Sequence, residues 1–169
     1  MRNFKNTTKI KQNQLNEVFP EMMDLFSWEG TDAYTKVSVC TFDHWLTQEE
    51  AIKEIDDVSH HREKEHNKKL HEFSVALAEN TECYLVKLIG KKKKRVTYRE
   101  FTSEVGLRKQ LVPELHYIAD SCRFVLVLPK LKGVYFEGSD FTHHFYFKGN
   151  EDIQKISDLA KKHGLHIIK

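Results

Sequence analysis

Histidine is the side chain that changes charge near neutral pH, so the ten histidines of this 169-residue chain are where acid–base or metal chemistry would lie. The densest group is His60, His61, His66 and His71. Ligands that share one ion on a helix sit three or four residues apart. His61, His66 and His71 are five apart, so each step turns about 140° around a helix axis. His61 and Glu65 do have ligand spacing, but two ligands make a weak site. The group therefore reads as the solvated polar face of a helix, and neither a metal nor another cofactor is expected.

His143 and His144 are adjacent in a run with strand character, so their side chains point to opposite faces. Phe141, His143, Phe145 and Phe147 make one face, which is the core side, and His143 reads as a core or core-edge histidine held by a hydrogen bond. Thr142, His144 and Tyr146 make the other face and are the exposed candidates. The chain is read as lacking a catalytic residue. Were it an enzyme, His143 or His144 would serve as acid or base in a metal-independent ribonuclease.

The sharpest charge feature is Lys91, Lys92, Lys93, Lys94 and Arg95. Like charges crowded into a turn repel one another, and a polyanion or an acidic protein surface relieves the repulsion. Tyr98 and Arg99, with Lys87 on the adjoining strand, are the neighbours that would extend such a surface. The bland alternative is a solvated hairpin tip that protects a sheet edge. No phosphate-cradling glycine loop, no GxSxG elbow and no CxxC pair occurs, and Asp56, Asp57, Glu63 and Glu65 lie in a charged helical run.

The elements that must position these residues follow from periodicity. Residues 1–13 are polar and basic and are expected to form a flexible arm. Leu15 to Phe26 has helical spacing, offset by Pro20. Thr35 to Phe42 alternates as a strand, with Val37 and Val39 on one face. Thr47 and Glu50 form a capping-box pattern, so a helix is expected to start there; one long helix through the polar stretch 59–69 to Leu77 is the favoured reading, and two helices meeting near Ser59 the other. Cys83–Ile89 and Arg95–Phe101 read as a hairpin, Ser103–Leu111 as a helix, and Pro113–Ser121 as a further helical piece. Phe124–Leu128 is apolar on both faces and is expected in mid-sheet. Two more strands, 134–137 and 141–147, a helix from Asn150 to His163 stopped by Gly164, and a short strand at 165–168 complete the order.

Strands and helices mix without strict alternation, so the fold expected is α+β: a mainly antiparallel sheet carrying helices, in one domain over residues 14–169. Its two groupings, 14–121 and 122–169, suggest ferredoxin-like halves. Net charge is +2, which gives no global field for nucleic acid. Cys40, Cys83 and Cys122 are odd in number and read as buried free thiols of a reducing compartment. The polar N-terminus and the lack of a long apolar run lead to an expected cytoplasmic location with no membrane association. The sequence does not fix an oligomeric state.

The run Thr142-His143-His144-Phe145-Tyr146-Phe147, the helix through Ile153, Ile156 and Leu159, and Gly164-Leu165-His166-Ile167 together resemble the closing module of the ribonuclease E inhibitor B family. That resemblance covers about 30 residues and implies a protein-binding regulator without catalytic residues. Leu85 to Phe101 is similar to an uncharacterised bacterial domain found ahead of such a module. Gly138-Ser139 before His143 and His144 is also similar to small messenger-RNA-cleaving toxins, which implies RNA as a partner instead. The expected function is regulation or immunity-like inhibition by binding another protein, with Tyr98, Tyr135 and Tyr146 as aromatic anchors and the polar stretch 59–69 as a helper. RNA binding is the alternative.

Overall fold

The computed structural model of the chain describes residues 3–27, 31–90, 95–113, 123–149 and 153–169. Eight strands form one antiparallel sheet: β1 (Phe4–Asn6), β2 (Thr35–Cys40), β3 (Tyr84–Ile89), β4 (Arg95–Phe101), β5 (Val125–Leu128), β6 (Gly133–Phe136), β7 (Thr142–Phe147) and β8 (His166–Ile168). Their order is β1-β4-β3-β5-β6-β7-β2-β8. The α+β expectation holds. The sheet is continuous, however, and β2 lies between β7 and β8, so the two sequence groupings interleave and are not separate ferredoxin-like halves.

Strand alternation sorts the side chains into two cores. On one face Val37, Val39, Leu85, Leu126, Tyr135, Phe145 and Phe147 pack against helices α3 (His60–Asn80), α4 (Glu104–Gln110) and α5 (Ile153–Lys162), through Leu70, Phe73, Leu77, Leu107, Ile156 and Ala160. On the opposite face Tyr84, Val86, Tyr98, Val125, Val127, Val134 and Phe136 pack against Leu15 of helix α1 (Lys9–Val18) and against Phe19, Met22, Leu25 and Tyr34. A strand flanked by both layers must be apolar on both sides, which is why all four residues of β5 are buried.

Connectivity explains the long helix. With every neighbouring pair antiparallel, β2 and β3 run parallel with three strands between them. Crossing four strand spacings takes about 19 Å, and the 21 residues of α3 supply about 30 Å. Helix α5 makes the shorter crossover from β7 to β8, passing β2, and ends at Gly164, whose φ of +66° suits a residue without Cβ.

Three expectations are corrected. Over its described part the N-terminal segment is not an arm, because Phe4–Asn6 pairs with Arg99–Phe101 as an edge strand, Phe4 packs against the helical-face core, and α1 starts at Lys9 behind the Thr8 cap. The expected single helix from Thr47 is two. The capping box forms and starts α2 (Gln48–Ala51), but the backbone widens into a π-turn over Ile52–Asp56, and Ser59 caps α3 anew by accepting from the Arg62 amide. The apolar spacing of Ala51, Ile55 and Val58 hides this break because Ile55 and Val58 still reach the core that α3 joins. Finally, His66 is not solvated: it is 8% exposed and stacks on Phe141 with ring centroids 4.6 Å apart. Most of the helical piece expected at 113–121 lies outside the described residues. No helix among the described residues is long and apolar enough to cross a membrane.

Candidate functional site

The two adjacent histidines are on opposite faces of β7, as the alternation predicts. His143 is buried in the helical-face core, where its Nδ1 meets the Tyr135 hydroxyl. That hydroxyl lies 2.7 Å from Ser74 Oγ, and Ser74 donates to the Leu70 carbonyl at 2.7 Å. All three contacts are satisfied when Tyr135 donates to Ser74 and accepts from His143 Nδ1–H. Burial, reinforced by the neighbouring His144, pushes the His143 pKa down to about 3. The ring is a neutral link in a hydrogen-bonded core and does not face solvent.

His144 is opposite Ser38 on β2, with Nδ1 3.0 Å from the Ser38 hydroxyl. Expected on an exposed face, it is half-buried, and burial together with the charge of Lys36 pushes its pKa down to about 4. It lines a cleft of about 290 Å³ with Cys40, Phe42, Trp45, Ile55, Asp140 and Thr142. The Cys40 thiol is 3.1 Å from Thr142 Oγ1, and burial raises its pKa, so it stays a thiol and is not poised as a nucleophile. At the rim His44 is clasped by Asp43 at 2.6 Å and Glu50 at 3.3 Å, which raises its pKa. Gly138 packs directly against the His144 ring: a Cβ there would lie 2.2 Å from the Thr142 carbonyl and 3.0 Å from His144 Nε2. Trp45 is 54% exposed, and its indole N–H donates to the Lys169 carbonyl at 3.1 Å.

Lys91, Lys92, Lys93 and Lys94 lie outside the described residues. Around them, the register opposes Leu85 to Arg99, Lys87 to Thr97 and Ile89 to Arg95. Leu85 faces the helical core, so Lys87, Ile89, Arg95 and Arg99 share its side of the sheet. Lys87, Ile89 and Arg95 are exposed, which places them past the reach of the helical layer. The Arg99 guanidinium stands 5.0 Å over the Phe4 ring, a cation–π contact. None of the carboxylate ion pairs among the described residues engages Lys87, Arg95 or Arg99. Tyr98 points the other way and is fully buried, so it is a core residue and cannot anchor a partner, and the same is true of Tyr135. Tyr146 is half-buried against the second core beside Phe136.

The chain therefore carries two separate features: a cleft with a neutral floor at the β2–β7 end of the sheet, and a basic platform on the β3–β4 hairpin. Among the described residues no group of three or more His, Cys, Asp or Glu side chains is placed to hold a metal ion. Ser38 and Trp45 were not singled out by the sequence, nor was Cys40 as part of a site, because only the β2–β7 register brings Ser38 opposite His144 and Cys40 opposite Thr142. The alternation does put Ser38 with Cys40, and Thr142 with His144, on common faces, which is the signal that was available. No family model, no curated protein and no solved structure matches this chain.

Proposed function

We propose that the chain is a non-enzymatic regulator or immunity-like inhibitor that binds an acidic surface of another protein through the basic platform of the β3–β4 hairpin. The observation that carries the reading is the alignment of exposed Lys87 and Arg95 on one side of the sheet, with half-buried Arg99 behind them, without carboxylate partners among the described residues, next to the tip whose sequence adds four lysines. An exposed cation without a partner keeps its charge available for an encounter, where complementary charge sets partner choice and association rate. An enzyme reading has less behind it. A general acid must hold a proton near neutral pH, and both His143 and His144 are held neutral, one of them sealed in the core.

The test is affinity capture from lysate by the tagged wild-type protein and by a Lys87→Glu/Arg95→Glu variant, each with and without nuclease. The reading expects one stoichiometric acidic protein that survives nuclease and is lost with the variant. Retention of RNA alone, or of a protein that leaves with nuclease treatment, would transfer the platform to the RNA-binding alternative.

A further inference from the structure

Three observations at the β2–β7 end of the sheet point to a ligand, independently of the basic platform. The first is Trp45. A tryptophan ring more than half exposed is unusual on a surface, and this one is held in orientation by the bond from its indole N–H to the Lys169 carbonyl. An aromatic face held in place at the mouth of a cleft is a stacking platform.

The second is the free nitrogen of His144. The Ser38 hydroxyl is buried, and among the described residues it meets His144 Nδ1 at 3.0 Å. A Ser38 hydroxyl that donates to Nδ1 uses its proton within the protein and leaves the ring proton on Nε2. Nε2 has no protein partner among the described residues, and His144 lines the cleft. It is a donor that a ligand acceptor can use.

The third is the charge pattern. The cleft floor is uncharged, being made of a neutral imidazole, the Cys40 thiol and the Thr142 hydroxyl. Asp140 at the wall disfavours an anion, and at the rim the charge of His44 is balanced by Asp43 and Glu50. The volume of about 290 Å³ is at the lower end of small-ligand sites and suits a molecule of one or two rings. Phe42 and Ile55 supply apolar walls.

We propose that this cleft binds a small, uncharged, planar heteroaromatic molecule that stacks on Trp45 and accepts a hydrogen bond from His144 Nε2–H. The ligand contacts no residue of the basic platform, so the site is separate from the one assigned to the protein partner.

The test titrates the folded full chain with nicotinamide and with adenine, and with nicotinate as the anionic counterpart, following the His144 ring and Trp45 indole resonances by NMR. The expected result is a saturable shift of both resonances with at least one neutral probe at millimolar concentration or below. Affinity should fall about tenfold or more in Trp45→Ala, and nicotinate should bind correspondingly worse than nicotinamide. Because Trp45 is a surface residue, that variant keeps the fold, which the unchanged core resonances verify. His144→Leu provides the second arm and should abolish the preference for ring acceptors. The proposal is overturned by the absence of a saturable shift with either neutral probe, by equal affinity in Trp45→Ala, or by equal binding of nicotinate.

Discussion

His66 shows how one buried residue can depart from its sequence neighbourhood. It stands between Arg62 and Lys69 in a charged run, yet it stacks on Phe141 and lies 5.4 Å from the Phe42 ring, and neither of its ring nitrogens has a hydrogen-bond partner among the described residues. Desolvation, with the nearby charges of Arg62 and Lys69, lowers its pKa. A buried polar group without a partner costs about 1–3 kcal/mol, and an apolar ring of similar shape avoids that cost. His66→Phe is therefore expected to stabilise the protein, read as a rise in the denaturation midpoint with an unchanged m-value; a lower midpoint would mean that the imidazole makes an interaction this account lacks. The sequence could not show this burial. Phe42 and Phe141 are remote in sequence, and the five-residue steps between His61, His66 and His71 send each ring in a different direction.

At the scale of elements, what the sequence revealed was local periodicity, and what it hid was pairing. The hairpin of β3 and β4, the apolar strand β5 and the face assignment of β7 follow from alternation alone. The edge strand β1 does not, because three residues carry too little pattern and their place depends on Phe4 meeting the side of the sheet that bears Phe101. Beyond β1 the edge of β4 is closed by a side chain: Gln12 accepts from the Tyr98 amide at 3.1 Å and donates to the Tyr98 carbonyl at 2.8 Å, completing the ladder as a strand would. Gln12→Ala should cost about 1–2 kcal/mol, and the Tyr98 amide should lose hydrogen-exchange protection while the amides of β5 keep theirs. Protection unchanged at Tyr98 would show that water or Thr7 suffices to close this edge.

For the whole molecule, three histidines out of water wholly or in part weaken the fold toward acid, against which the raised pKa of His44 acts with opposite sign. His66, His143 and His144 all have pKa values lowered by burial, the last two to about 3 and about 4. In the unfolded chain each titrates near 6.5. As pH falls below about 6.5 the unfolded state takes up protons that the folded state refuses, so stability decreases from neutral pH toward pH 4. His143 and His144 each contribute a slope of about 1.4 kcal/mol per pH unit within that window, and His66 acts in the same direction. Denaturant melts between pH 7 and pH 5 are expected to show a slope approaching two protons from His143 and His144, with His66 adding in the same direction, so that His66→Phe makes the slope shallower. A flat profile above pH 5 would mean that these rings are not buried neutral in solution.

The helical layer stops short of the tip end of the β3–β4 hairpin, where Lys87 and Arg95 are exposed, and the basic platform there carries the functional proposal. The most direct test is an affinity titration of the captured partner against the wild-type protein and the Lys87→Glu/Arg95→Glu variant over a series of salt concentrations. The account predicts an affinity for the wild type that weakens as salt rises, and a variant at least about tenfold weaker with a shallower salt dependence. Equal affinity of the two proteins, or a wild-type affinity indifferent to salt, would contradict the claim that this face is where the chain meets its partner.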